Sequence, residues 1–300
     1  MRRLTLQRIQ VFCAIYKHGS INVAARQLGI SQPTASRHLQ DFEAALKVVL
    51  FERRQGKLHP THEAHSLYEE SRILNHGISR LERHVESMAL GMGKQLSIAT
   101  VSLYGREHLA YASERVLARF PDLNLKITIG LAEQQVALIH EGRVDLGFVS
   151  GTVDTQNLHS TNVGRGRLVA LVPEGSSHVE DNLLELAKLD PGTSMINMSP
   201  RGAIGHIVNE ALARHGIASD ERIVSHSLDV LPFLAKQFNR LTIVDIFTAR
   251  SVVLSGMRIV PIRPALTFEV NMLSSAPVRN GTVAWHFFRA MKQALQNEEV

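Results

Sequence analysis

Residues 19–39, two short helix-forming segments separated by a glycine turn, constrain this chain more than any other stretch. Ser20 can cap a first helix and Gly29 can end it in a left-handed conformation. Ser31 can cap a second helix, and Pro33 lies in its first turn, where no backbone N–H is needed. A short helix, a tight turn and a second helix with a polar face together predict a helix-turn-helix.

The second helix of this motif has one apolar face and one polar face. Ala35, Leu39 and Phe42 recur at spacings of four and three, which places them toward a core. The opposite face carries side chains that can hydrogen-bond to base edges or phosphates. We predict DNA contacts from Ser31, Gln32, Pro33, Thr34, Ser36, Arg37 and Gln40. The alternative is a helical hairpin with a polar outer face.

A short β-hairpin is predicted to follow, from strands at residues 48–53 and 57–60. Its turn contains Gly56, which can take a positive φ. We expect Arg53, Arg54 and Lys57 at its tip to reach a phosphate or a narrow minor groove, the alternative being a solvated hairpin tip.

The charge of the chain is concentrated in this N-terminal region. Residues 1–65 contain ten lysines and arginines against four aspartates and glutamates, whereas the whole chain carries a net charge of only +5. The basic excess is therefore confined to the predicted DNA-binding segment, as expected for a surface that contacts phosphates.

The residues after the hairpin predict one long helix, from Thr61 to about Leu90. Apolar residues along it alternate gaps of four and three, which is typical of a heptad seam that pairs with another helix. We expect Leu67, Leu74, Ile78, Leu81, Val85 and Met88 to face that partner helix. The alternative is a helix packed on its own domain. Histidines on this helix do not share a face with carboxylates at ligand spacing, so no metal site is expected.

Beyond a glycine-containing hinge at residues 91–93, strands and helices alternate, which predicts an α/β domain with a mostly parallel sheet. We predict strands at 96–101, 123–129, 144–149, 168–172, 194–198, 222–224, 241–246 and 268–273. The predicted helices are 106–119, 131–140, 181–188, 202–215, 228–238 and 281–295.

Polar side chains follow several of these strands, at the edge where open α/β sheets bind ligands. Their hydroxyls suit a carboxylate, and Asp245 suits an ammonium or guanidinium group. We predict that an amino-acid-like effector binds Thr100, Ser102, Ser150, Ser199 and Asp245. The alternative for each hydroxyl is an ordinary helix cap, and for Asp245 a cap or a salt bridge.

Short signals at fixed spacing give the chain a family resemblance: Gly19-Ser20, Ala24-Ala25, Leu28, Ser31-Gln32-Pro33, Ser36-Arg37 and Leu50-Phe51-Glu52-Arg53. Residues 5–65 resemble the DNA-binding domain of LysR-type transcriptional regulators without a gap. The closest branch is that of LysR itself and the opine-responsive regulators, to which residues 53–61 and 244–249 are similar. Two departures are that residues 62–65 lack the usual linker glycine and residues 236–240 lack the usual Gly-x-Gly.

The resemblance implies a winged helix-turn-helix at residues 1–60, a linker (dimerisation) helix at 61–90 and a periplasmic-binding-protein-like α/β effector domain at 91–300. The effector domain is expected to have two lobes, 94–163 plus 267–300 and 164–266.

The resemblance also implies a DNA-binding transcriptional regulator controlled by a small-molecule effector. Its expected partners are double-stranded DNA, an effector that carries a carboxylate, further copies of the chain in a dimer or tetramer and, for activation, RNA polymerase. Alternatives are an architectural DNA-binding dimer without an effector and an α/β enzyme fused to a DNA-binding domain.

No cofactor or catalytic group is expected. Phosphate-loop, His-Glu-x-x-His and Gly-x-Ser-x-Gly motifs are absent from the sequence. A cytoplasmic location is expected, because the lone Cys13 excludes an intrachain disulfide and no apolar run approaches the roughly 18 residues of a membrane span.

Overall fold

The computed structural model describes residues 4–54, 57–89, 95–104, 107–217, 223–252 and 255–296. The chain divides into two compact units near Arg83.

The N-terminal unit is a winged helix-turn-helix followed by a long helix. Its elements are α1 (Leu6–His18), α2 (Ile21–Gln27), α3 (Gln32–Leu46), β1 (Phe51–Arg54), β2 (Lys57–Pro60) and α4 (His62–Ala89). The β1–β2 hairpin is antiparallel, with Phe51 opposite Pro60.

Local hydrogen bonds begin these helices where the sequence predicts. Ser20 accepts a hydrogen bond from the Val23 N–H, and Ser31 accepts one from the Thr34 N–H at 3.3 Å. Gly29 adopts a φ of +64°, which glycine takes without the strain that a side chain would bring. The motif therefore depends on backbone groups satisfied within a few residues.

The C-terminal unit is an α/β domain whose elements partly differ from the predicted ones. In chain order they are β3 (Gln95–Thr100), α5 (Glu107–Arg119), β4 (Asn124–Ile129), α6 (Ala132–His140), β5 (Leu146–Ser150), β6 (His159–Pro173), β7 (Leu184–Glu185), β8 (Met195–Met198), α7 (Ala203–Arg214), β9 (Val224–Ser225), α8 (Leu231–Gln237), β10 (Leu241–Asp245), α9 (Ile246–Ser251), β11 (Met257–Val260), β12 (Ile262–Arg263), β13 (Thr267–Ser274) and α10 (Val283–Gln296). Single 3₁₀ turns lie at Ser102–Tyr104, Leu186–Lys188 and Leu228–Val230.

One long strand, β6, joins two groups of strands. Its first part pairs with β13, from His159 opposite Ser274 to Arg167 opposite Thr267. Its second part pairs with β10, beginning at Leu168. The strand order is β4-β3-β5-β13-β6-β10-β8-β9, with β11 also beside β6. The pairing partner of β6 therefore changes between adjacent residues.

The sheet is less parallel than the sequence predicts, because β6 runs antiparallel to β13, β10 and β11. The predicted helix at 181–188 is wrong: that segment contains the short strand β7 and a 3₁₀ turn. Leu184 and Leu186 are both fully buried. Their spacing of two is the period of a strand rather than of a helix.

Candidate nucleic-acid interface and effector cleft

Helix α3 presents the side chains that the sequence predicts for DNA contact. Most of these side chains are exposed and lie away from the buried face of the helix: Gln32, Pro33, Thr34, Arg37 and Gln40. Ser36 is half-buried. The Ser31 and Thr34 hydroxyls share a hydrogen bond of 2.7 Å while Ser31 caps the helix. The polar face of α3 is therefore accessible to a ligand along the length of the helix.

Two arginines of the β1–β2 wing are exposed. Arg54 donates to Glu52 through Nη2 at 2.7 Å and through Nε at 3.1 Å. An ion pair this exposed contributes little free energy, so a phosphate can replace Glu52 at little cost. Arg53 is exposed, and the side chain of Lys57 lies outside the described residues.

Helix α4 carries a line of apolar side chains that nothing in the described part of the chain covers. Leu74 is 51% exposed, Leu81 62% and Val85 55%, and Ile78 between them is half-buried. Leu67 instead packs against the core of its own winged-helix unit. The side chain of Met88 lies outside the described residues.

A small cleft lies between elements from the two strand groups of the α/β domain. One side is formed by Ser102, Leu103, Glu107 and His108, and the other by Asp229, Phe247, Thr248 and Ser251. About 10 Å³ of it is open to the centre of a water molecule, which is room for one water.

The five predicted effector residues meet this cleft unequally. Ser102 lines it directly. Thr100, Ser150, Ser199 and Asp245 are buried and are not among the lining residues. Ser150 shares a hydrogen bond of 2.6 Å with the Tyr104 hydroxyl, and Ser199 accepts one from the Arg201 N–H at 3.4 Å.

Sequence reasoning missed seven of the eight residues that line the cleft: Leu103, Glu107, His108, Asp229, Phe247, Thr248 and Ser251. Phe247 and Thr248 lie in α9, a helix that the sequence analysis did not predict. The available signal was Asp245 itself, because an aspartate directly after a buried strand is a common helix N-cap.

Asp245 is fully buried at the start of α9. Its Oδ1 accepts a hydrogen bond from the Thr248 N–H at 2.7 Å, while Oδ2 has no hydrogen-bond partner among the described residues. Burial raises the pKa of Asp245 from 3.8 to about 6, although hydrogen bonds from Thr248 act in the opposite direction. The carboxylate is thus capped on one oxygen and unsatisfied on the other.

Two aromatic side chains enclose this region with His108. The His108 ring meets Phe247 edge to face, with centroids 4.5 Å apart, and Tyr104 lies 6.2 Å from Phe247. Burial lowers the pKa of His108 to about 4 and raises that of Tyr104. Both side chains are therefore neutral at physiological pH.

A second contact brings the two strand groups together at Gly151 and Ala203. Gly151 has a φ of +67°, and a Cβ added there would lie 2.7 Å from the Ala203 Cβ. Ala203 is the first residue of α7, whose N-cap Gly202 supplies no side-chain hydrogen bond. The positive end of this helix dipole therefore points toward the end of β5 without a side-chain cap.

We expect the stability of the α/β domain to depend on pH through Asp245. Because its pKa is raised on folding, its charge destabilises the native state above about pH 6, and lowering the pH removes that penalty. Between pH 7.5 and 5, the wild type should gain on the order of 1 kcal/mol of unfolding free energy relative to Asp245→Asn. Fluorescence of Trp285, the single tryptophan, reports the unfolding of this domain. Parallel pH profiles for the two proteins would contradict the expectation.

Within the described residues, no three His, Cys, Asp or Glu side chains come together as a metal ion would require. Nor does any helix there combine the length and apolar character needed to cross a membrane.

Comparison with known proteins accounts for both units. Residues 6–65 match the family described as bacterial regulatory helix-turn-helix protein, lysR family, and residues 91–296 match the LysR substrate binding domain. The transcriptional activator protein LysR of Escherichia coli is 28% identical over 91% of this chain and 88% of its own length. The octopine catabolism/uptake operon regulatory protein OccR of Rhizobium meliloti is 30% identical over 67% of this chain and 66% of its own length.

Solved structures share the fold over nearly the whole chain. Full-length OxyR from Pseudomonas aeruginosa superposes with a TM-score of 0.63 at 13% identity, covering 98% of this chain and 95% of that one. Full-length CbnR in complex with its target DNA gives a TM-score of 0.59 at 19% identity, covering 97% of this chain and 100% of that one. This protein belongs to the LysR family of DNA-binding transcriptional regulators, with a helix-turn-helix domain and an effector-binding domain.

Proposed function

We propose that this regulator binds an operator of two half-sites as an α4-paired dimer, and that an amino-acid- or opine-like effector bound between the lobes controls its action. The exposed polar face of α3 carries the proposal. No residue in the described part of the chain packs over this face. The apolar residues on the other face of the same helix are buried. A DNA-binding regulator of this kind works in the cytoplasm, and we assign it no enzymatic activity.

In the proposed DNA complex, α3 lies in the major groove and the wing lies over an adjacent backbone. The contacts come from Ser31, Gln32, Pro33, Thr34, Ser36, Arg37, Gln40, Arg53, Arg54 and Lys57. Arg37 is the side chain of this set best suited to base readout, because its guanidinium can bind guanine with two hydrogen bonds.

Pairing of α4 helices would cover Leu74, Ile78, Leu81 and Val85, whose exposure is otherwise costly. Further apolar surface supports association beyond this pair. Exposed residues include Ile127, Ile129 and Leu131 at the end of edge strand β4, and Val230, Phe233 and Phe238 at α8. Two copies that meet through such surfaces would turn a dimer into a tetramer.

The lobes of the effector domain are proposed to be residues 94–163 plus 267–300 and residues 164–266. The change of partner along β6, from β13 to β10, supports a division close to these limits. The effector would contact both lobes, because a ligand shifts an equilibrium only if it binds the two states with different affinities.

The chemistry of the cleft supports an effector with a cationic nitrogen. Glu107 and Asp229 bring carboxylates to it from opposite sides. Asp245 does not line the cleft, but its unsatisfied Oδ2 is buried beside Thr248, which does. A carboxylate on the same molecule would be favoured by the hydroxyls of Thr100, Ser102, Ser150 and Ser199. The name of OccR, the octopine catabolism/uptake operon regulatory protein, is consistent with the opine branch.

Removing the Arg37 side chain should weaken specific DNA binding. We expect Arg37→Ala to cost about 1–3 kcal/mol on a selected operator and to relax the preference at one base pair. Arg37→Lys is the matched variant, since it keeps the charge and loses the two-pronged geometry. Gel-shift titration at fixed salt, with non-specific DNA as reference, measures both. Wild-type affinity and sequence preference in Arg37→Ala would remove this residue from the readout.

A charge in the α4 seam should dissociate the dimer. Leu74→Asp would bury an unpaired carboxylate against the partner helix, at a cost of several kcal/mol. Sedimentation should then show monomers, and binding to a two-half-site duplex should weaken. Glu69→Asp is the control, because at 100° per residue it lies on the opposite side of α4. A Leu74→Asp protein that remains dimeric would assign this face to packing within the chain.

An effector found by thermal-shift screening of amino acids and opine-like compounds should lose affinity when Asp245 loses its charge. Because a charge-assisted hydrogen bond is roughly twice as strong as a neutral one, we expect a roughly tenfold or larger loss for Asp245→Asn. Calorimetry on the full-length protein measures it. Asp229→Asn serves as the comparison, and a loss confined to that variant would move the cationic contact to Asp229.

A further inference from the structure

Three aromatic side chains tie α1 to the first turns of α4. The Tyr16 ring stacks on Tyr68 with centroids 3.9 Å apart and an interplanar angle of 16°. The His65 ring meets Tyr16 edge to face at 5.4 Å. The Tyr16 hydroxyl and His65 Nδ1 also share a hydrogen bond. We call Tyr16, His65 and Tyr68 the tyrosine clasp.

The clasp is one end of a row of rings that reaches the DNA-reading helix. Phe12, one turn before Tyr16 on α1, lies 6.2 Å from it between ring centroids. Phe12 in turn lies 5.9 Å from Phe42 of α3, and both phenylalanines are fully buried. Close-packed rings do not slide freely past one another. The position of α4 is therefore linked to that of α3 through packed side chains.

The start of α4 has little freedom of its own. Thr61 accepts a hydrogen bond from the Ala64 N–H at 3.2 Å and donates to the Val49 carbonyl at 2.9 Å. Ala64 is fully buried, and it belongs to a stretch that lacks a glycine. A bend at this point would therefore have to break the clasp or the cap.

The clasp lies at the margin of the core that keeps the winged helix folded, with Tyr16 and Tyr68 packed against that core. His65 is exposed, and Tyr16 and Tyr68 are only half-buried, whereas Phe12, Phe42 and Ala35 are fully buried. A surface hydrogen bond contributes little to global stability. Its directional geometry can still restrict the angle at which α4 leaves the winged helix.

We propose that the tyrosine clasp sets the spacing between the two half-sites that the dimer accepts. When two copies pair through α4, the angle between each α4 and its α3 fixes the distance between the two recognition helices, and that distance must match the separation of the half-sites. Tyr16 and His65 are thus positioning residues that act through the helix angle and do not touch DNA. The inference rests on the proposed α4 dimer.

The test is binding of full-length protein to a family of duplexes that differ only in spacing. A two-half-site duplex is first selected from a randomised pool with the wild type, and its central spacer is then lengthened or shortened by one and two base pairs. The wild type should prefer one spacing. Tyr16→Phe keeps the ring stack and removes the hydrogen bond, so the preference over neighbouring spacings should fall about threefold to tenfold.

His65→Ala should change the profile in the same direction, and the double variant should lose no more than the larger single effect, since both changes remove one hydrogen bond. His62→Ala, at an exposed histidine three residues earlier on α4, is the control and should keep the wild-type profile. Affinity for a duplex with a single half-site should remain unchanged in all variants.

The spacing profiles of the variants test the proposed role of the clasp. A wild-type spacing profile in Tyr16→Phe would overturn the proposal, as would a uniform loss of affinity at every spacing, which would place the effect in the recognition helix itself. Sedimentation separates the two proposals: a monomeric wild type refutes the α4 dimer, whereas a dimer whose spacing preference survives Tyr16→Phe refutes the clasp alone.

Discussion

The effector domain depends on the main-chain pairing of one strand, β6. Fifteen residues long, it supplies hydrogen bonds to β13 along its first part and to β10 and β11 along its second. Because the change of partner falls between Arg167 and Leu168, the two strand groups are joined through one continuous strand and belong to a single sheet. In the proposed two-lobe division, the chain would pass between the lobes at this strand and again just before β13.

Buried electrostatics place a second constraint on the same region. One carboxylate oxygen of Asp245 accepts a hydrogen bond from the N-terminus of α9, and the other has no partner among the described residues. Burial of a charged group in this way costs folding free energy. A serine at this position could cap the helix without a carboxylate. Under the proposed function, the carboxylate of Asp245 serves to bind the cationic nitrogen of the effector.

The DNA-binding half could be predicted from sequence because its determinants are local. Ser20, Gly29 and Ser31 satisfy backbone groups three or four residues away, and the apolar spacing of α3 is read directly. The cleft could be predicted only in part, because Ser102 and Phe247 are brought together by the sheet across more than a hundred residues of chain. The helix predicted at 181–188 failed for a related reason: the pairing of β7 with the distant β12 fixes its conformation.

The contact between Gly151 and Ala203 bears on how the proposed effector would act. The space for a Cβ at Gly151 is already taken by Ala203, and the cleft lined by Ser102 and Thr248 has room for a single water. In the proposed two-lobe division, both of these contacts lie between the lobes. We propose that an amino-acid-sized effector binds an arrangement in which the lobes are further apart. Effector control would then follow from a shift between the two arrangements.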